Sequence, residues 1–251
     1  FGDACGLKGP SALANLLLDK ISYGKHKPFH GNEATQWGEK YEDIANDIYC
    51  YRNQCRVFEF GMIPHPKIPF LGASTDGISD QMINIEIKCP FSRWVTGITP
   101  KGYWAQTQLQ MEVLDLERTH FLECSIFEYD TQEAFFDDFE YYEPEKDPVR
   151  GDQIQFLNPP PPGHHLEKGL LIEVLDKKKA DNAGNPKRVY MSSPIKYYKD
   201  KAGLMAWRDE NISMILASDH LVFIRIIPWV LTRLSCVEIL RDRGWFESKV
   251  P

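Results

Sequence analysis

Apolar positions along the chain change period several times, and each change marks an element. Trp37, Tyr41, Ile44, Ala45 and Ile48 recur at the spacing of a buried stripe and predict an amphipathic helix over Thr35–Tyr51. A shorter apolar run, Ser11–Leu18, predicts a helix with Ser11 as its N-cap. The pattern then turns strand-like over Val57–Ile63, Phe70–Ser74 and Met82–Cys89. Pro64, Pro66 and Pro69 punctuate this region, and Pro90 ends it. Asp76-Gly77 is a turn pair, so the last two strands are expected to form a hairpin with Asp76 near its bend. A helical period returns over Lys101–Leu116, with Trp104, Thr107, Met111 and Leu114 on one stripe and Gln106 and Gln110 one turn apart on another side. His120–Tyr129 reads as a strand. The strand–helix–strand unit so formed should leave its two strands parallel.

Beyond Asp130 the composition shifts. Phe135–Asp147 is acidic and aromatic, and a proline run covers Pro159–Pro162, which together predict an extended linker over the surface. Leu170–Leu175 and Arg188–Met191 predict a hairpin around the charged loop Lys177–Pro186. Leu204–Leu216 reads as a helix, Val222–Ile227 as a strand, and Leu231–Arg241 as a final helix. The expected class is mixed α/β (α+β). One domain is expected over residues 1–251, with a core to about residue 130 and a C-terminal elaboration after it.

A net charge of −7 excludes a surface coated in basic residues but leaves room for a nucleic-acid enzyme, because binding follows the local potential of a cleft. The six cysteines form no CxxC pair and fit reduced thiols better than a zinc site or a disulfide framework. No signal peptide and no bilayer-spanning apolar run is read, so a soluble intracellular protein with no membrane partner is expected.

The chemistry concentrates in Gly72–Pro90. Side chains alternate across a strand, so Glu86 and Lys88 share one face while Ile83, Ile85 and Ile87 share the other. Charged groups on a strand covered on both faces are costly unless they bind something. Phosphodiester hydrolysis needs an activated water, relief of phosphate charge and help for the leaving oxygen, all of which a carboxylate-held divalent metal supplies. Mg²⁺ asks for few protein carboxylates and keeps several waters. Asp76 and Glu86 meet that need, the Ile87 carbonyl offers a further oxygen, and Lys88 points the same way as Glu86. On its own this short pattern is far more often a solvated strand face.

Four stretches in order raise the pattern above chance. Trp37-Gly38-Glu39-Lys40-Tyr41-Glu42, Gly72-Ala73-Ser74-Thr75-Asp76-Gly77, Ile85-Glu86-Ile87-Lys88-Cys89-Pro90 and Tyr103-Trp104-Ala105-Gln106-Thr107-Gln108 resemble motifs of the lambda-exonuclease branch of the PD-(D/E)XK nucleases. That branch comprises the YqaJ-like viral recombinase nucleases, herpesvirus-type alkaline nucleases among them. Thr75 stands where the family has proline. The resemblance covers residues 31–130 and implies a restriction-endonuclease-like core with a mixed central sheet flanked by helices. It implies Mg²⁺ or Mn²⁺ held by Asp76, Glu86 and the Ile87 carbonyl, with Lys88 placing or deprotonating the attacking water. Glu42 would line the site and help a second metal, and Gln106 would hydrogen-bond near the water or Lys88. Gln108 would support the same helix face, and Ser11 would stand at a hydroxyl used for a DNA phosphate. The family's arginine ahead of that serine has no counterpart here beyond Lys8.

The resulting expectation is a metal-dependent 5′→3′ exonuclease on double-stranded DNA, serving viral or phage recombination or genome processing, with a single-strand annealing protein as a further partner. An endonuclease on DNA or RNA, and a non-catalytic DNA-binding module, remain alternatives. Arg93 and Lys101 bracket the loop after the charged strand and lead the candidate DNA contacts. Lys25, Lys27, Lys177–Lys179, Lys187 and Arg188 follow. Trp94 and Tyr103 are candidates to stack on an unpaired base, with core packing the expected place of Tyr103.

Overall fold

The computed structural model describes Cys5, Leu7 and residues 9–22, 32–138, 166–180 and 184–249. In chain order the elements are α1 (Pro10–Ile21), α2 (Glu33–Asn53), β1 (Val57–Phe58), β2 (Ile63–Pro64), β3 (Gly72–Ala73), β4 (Gly77–Ser79), β5 (Asn84–Lys88), α3 (Lys101–Leu114), β6 (Arg118–Glu128), α4 (Gln132–Asp137), β7 (Lys168–Ala180), β8 (Pro186–Ser192), α5 (Lys201–Leu216), β9 (Leu221–Leu240) and α6 (Arg243–Glu247). Seven strands form one mixed sheet in the order β1-β4-β5-β6-β9-β7-β8, and β2 with β3 makes a separate ribbon. As the sequence predicts, β5 and β6 are parallel across the α3 crossover, with Lys88 beside Glu123.

Helix α2 covers one face of the sheet. Its Tyr41, Ile44, Ala45 and Ile48 pack on Ile83, Ile85 and Ile87, and on Leu122, Cys124, Leu171, Trp229 and Leu231 of the neighbouring strands. Each aliphatic side chain removed from water in this way contributes about 1.5–3 kcal/mol. Asn32 opens α2 by accepting the Thr35 amide at 2.9 Å, as an N-cap should. On the opposite face α3 packs Met111 against Phe121 and Ile239, while α4 and α5 cover Leu170, Ile172 and Val230 farther along. Strand β5 is therefore enclosed on both sides.

Four expectations are corrected. Ser11 does not cap α1: the helix begins at Pro10, whose fixed φ suits the first helical position, and Gly9 is the cap. The hairpin between β4 and β5 bends at Asp80–Met82, where Met82 takes a left-handed φ of 59°, and not at Asp76-Gly77. Gly77 instead starts β4, because a Cβ there would meet the Val57 side chain at 2.2 Å and the Phe58 carbonyl at 3.3 Å. Leu231–Arg241 is no helix. Its residues continue β9, which pairs with β6 from Arg118 to Glu128 and with β7 from Lys168 to Asp176. Finally, Gln132–Asp137 forms a helix that buries Phe135, so the linker predicted from Phe135 starts no earlier than Asp138. The rest of that linker, through Pro162, lies outside the described residues, as do Lys8, Lys25 and Lys27. The six cysteines are free thiols. Among the described residues no helix is long and apolar enough to cross a membrane.

Candidate active site

The bend at residues 80–82 sets the register that builds the site. With Gly77 opposite Ile85, Asp76 reaches the far end of β5 and its Oδ2 accepts the Ile87 N–H at 2.6 Å. Glu86 is fully buried on the α3 face. Its Oε1 receives Lys88 Nζ and, at 2.8 Å, Gln106 Nε2, while Oε2 receives Gln110 Nε2 at 2.6 Å. Lys88 Nζ also donates to the Ile87 carbonyl at 2.8 Å and stands 3.9 Å from Asp76 Oδ2. Two carboxylates and one carbonyl thus converge on a single cation.

Burial pushes the Glu86 carboxyl up, and Lys88 pulls it partly back. Burial works to lower the Lys88 ammonium, but Glu86 and then Asp76 outweigh it and hold its pKa above the ordinary lysine value. Glu42 lines the cleft from α2. Desolvation, then the charge of Asp76, pushes its carboxyl up to about 7, although one side of it stays open to water, which offsets part of that effect.

Of these groups Glu42, Ile87 and Lys88 line a cleft of about 520 Å³, walled also by Thr35 and Gly38 of α2, by residues 89–93 after β5 and by Tyr103 of α3. Asp76 and Glu86 are not among its walls and meet it through Lys88. Tyr103 packs on Phe121, as expected, and holds its ring 5.4 Å from Lys88 Nζ. Arg93 lines the same cleft with its guanidinium on the buried Glu123 carboxylate. Lys101 is exposed at the start of α3 and does not line the cleft. Ser11 is exposed on α1, which buries no residue, and it too lies outside the cleft walls. Gln108 is a correction. Two residues along a helix point to different sides, so Gln108 faces away from Gln106 and clamps the end of β9, donating to the Leu240 carbonyl and accepting the Asp242 amide. It is buried and offers no surface to DNA.

Several working residues are missing from the sequence expectation. Gln110 holds Glu86 Oε2 and the Ser74 carbonyl, and its own Oε1 accepts from Asn84 at 3.0 Å. Thr75, in the family's proline position, turns its hydroxyl toward Asn84 and the Gly77 and Ile85 carbonyls, tying the Asp76 segment to β5. Gln110 was findable one turn after Gln106. Glu123 was findable by the reasoning that singled out Glu86: a carboxylate in the apolar run His120–Ile126 needs a partner.

Among the described residues, no group of three or more His, Cys, Asp and Glu side chains is placed to hold a metal. The donor set is instead two carboxylates and a peptide carbonyl. These are hard oxygens already gathered around a positive charge, and they fit a metal that keeps most of its ligands as water.

Residues 1–119 match the YqaJ-like viral recombinase domain. Over that part of the chain the fold is PD-(D/E)XK-like. The chain is also 31% identical over 264 residues to uncharacterized protein R354 of Acanthamoeba polyphaga mimivirus. That alignment takes in 94% of this chain and 44% of the viral protein, so the chain spans less than half the length of the curated relative it matches. Among solved structures, the alkaline exonuclease LHK-Exo of Laribacter hongkongensis is 28% identical, with 49% of this chain and 66% of that one covered and a TM-score of 0.44. A phage related exonuclease of Haemophilus somnus is 13% identical, with 80% and 82% covered and a TM-score of 0.38.

Proposed function

We propose that the cleft hydrolyses DNA phosphodiesters as a nuclease of the lambda-exonuclease branch, degrading duplex DNA from 5′ ends during viral or phage recombination or genome processing. The observation that carries this reading is the convergence of Asp76, Glu86 and the Ile87 carbonyl on the Lys88 ammonium at the floor of an open cleft. Asp76, Glu86 and the Ile87 carbonyl would hold Mg²⁺ or Mn²⁺, with Glu42 helping a second ion. When bound, the metal supplies water activation and charge relief.

The remaining work falls to the chain itself. Gln106 and Gln110 fix Glu86 by donating to one oxygen each. The Ile87 amide holds Asp76 in line with Glu86. Lys88 presents its ammonium to the cleft, where it orients the attacking water and offsets phosphate charge. Arg93 reaches the wall where a substrate phosphate would pass. A single-strand annealing protein would take up the strand left behind.

Digestion of 5′- and 3′-end-labelled linear duplexes in Mg²⁺, beside a covalently closed circle, tests the proposal. Release of 5′-terminal nucleotides from linear DNA, an intact circle and complete loss of cutting in a folded Lys88→Ala variant are the expected outcome. A nicked circle would replace the exonuclease with an endonuclease. A folded Lys88→Ala protein that still cuts would remove the site.

A further inference from the structure

The loop that leaves β5 carries a second feature beside the cleft. Arg93 and Trp94 are consecutive, and each lands on a charged partner from a different strand of the sheet. Arg93 pairs with Glu123 of β6, which is fully buried and whose Oε2 has no hydrogen-bond partner among the described residues. The Trp94 ring lies over the guanidinium of Arg233 from β9, with its centroid 3.0 Å away. Arg233 is only 4% exposed, whereas Trp94 is 60% exposed.

The register puts these groups on the catalytic face. Lys88 pairs with Glu123, and Ser125, two residues on, pairs with Arg233. Glu123, Ser125 and Arg233 therefore point to the same side of the sheet as Glu86 and Lys88. Two strand spacings across and two residues along place Arg233 roughly 12 Å from Lys88, measured between Cα atoms. Trp94 thus sits beside the catalytic residues with one ring face on a buried cation and the other open to solvent.

An indole so exposed is costly in water, and one anchored on a buried arginine has little freedom to fold away. A flat aromatic face beside a phosphate-cutting cleft suits a nucleobase, since every base has a π-face. The cation beneath withdraws electron density from the indole and is itself attracted to the ring. We propose that Trp94, carried on Arg233, is a stacking platform for an unpaired nucleobase of a DNA end entering the cleft. It selects frayed or tailed ends over fully paired ones. Arg93, held by Glu123, fixes the loop that presents the ring. The platform rests on the DNA-cleaving reading of the cleft and deepens it.

The test uses the full chain with Ca²⁺ in place of Mg²⁺, and two duplexes that carry 2-aminopurine at the end nucleotide. One is blunt and the other has a short unpaired 5′ tail. Wild-type protein should bind the tailed duplex with quenching of the tail fluorophore. Trp94→Ala and Trp94→Leu should abolish the quenching and weaken tailed binding by about ten- to a hundredfold, with blunt binding unchanged. Leucine still covers Arg233, so a folding defect is separated from a missing ring, and Trp94→Phe should keep most of both signals. Equal losses on the two duplexes, or a Trp94→Leu protein that binds tails as wild type does while wild type binds and cuts DNA, would overturn the platform alone. Wild-type protein that binds neither duplex would overturn the nuclease reading together with the platform.

Discussion

At the scale of single residues, the site is a problem of keeping one carboxylate charged where water cannot reach it. Glu86 is fully buried, yet each of its oxygens has a donor: Lys88 and Gln106 on one, Gln110 on the other. Gln110 is the member whose loss spreads furthest, because its amide also serves the Ser74 carbonyl and Asn84. Gln110→Leu keeps the volume and removes all three bonds. A buried polar group left unpaired costs about 1–3 kcal/mol. The variant is therefore expected to lose that order of stability in urea titration and, if the cleft cuts DNA, to lose turnover while Gln110→Glu at low pH recovers part of it. Unchanged stability would mean that water replaces the amide. The candidate positions Asp76, Glu86 and Lys88 were legible in the sequence because charge in an apolar strand is conspicuous. Thr75 was not, since a neutral side chain in a turn looks the same whether or not a strand carbonyl lies opposite, and Gln110 was visible only through its spacing of one turn from Gln106.

At the scale of elements, two misread segments show where local pattern gives out. Asp76-Gly77 carries the residues of a turn, but the glycine is required by the close approach of β1, whose Val57 side chain would lie 2.2 Å from a Cβ at that position. Which of two turn candidates bends the hairpin is decided by pairing, and pairing involves residues some twenty positions away. Gly77→Ala should then separate β1 from β4 or displace Val57, at a cost of about 1–3 kcal/mol typical of overpacking. Thermal unfolding would show it, and Val57→Ala in the same chain should restore part of the loss. An unshifted midpoint would show that β1 is free to move. Leu231–Arg241 failed for the opposite reason. Its apolar residues are dense enough to satisfy a helical period, because beside β6 the strand is buried on both faces over most of residues 231–236 and alternation is lost. Helices α2, α3 and α5 were readable, each having one polar side, and so was the β7–β8 hairpin with its charged loop.

At the scale of the molecule, the sequence divided the chain at about residue 130 into a motif-bearing core and an elaboration, and the sheet crosses that line. All four motifs and the family match fall before the division. Strand β6 nevertheless has β5 on one side and β9 on the other, and β9 pairs with it over its whole length. The cluster under α2 draws Leu171, Ile227, Trp229, Leu231, Leu234 and Cys236 from the later half, beside Tyr41, Ile44 and Ile48 from the earlier one. Arg52 of α2 forks onto Glu167 at 2.6–2.7 Å, and Arg233 of β9 carries Trp94. A chain ending at residue 130 would uncover one side of that cluster and leave β6 a long apolar edge, a template for aggregation. Expressed alone, residues 1–130 should therefore fail to give a cooperative thermal transition and should bind a dye for exposed apolar surface. The same fragment co-expressed with residues 131–251 as a separate chain should recover both folding and whatever cutting the intact chain performs. A soluble 1–130 fragment that unfolds cooperatively would show instead that the motif-bearing half stands alone and that β7–β9 are an addition to it.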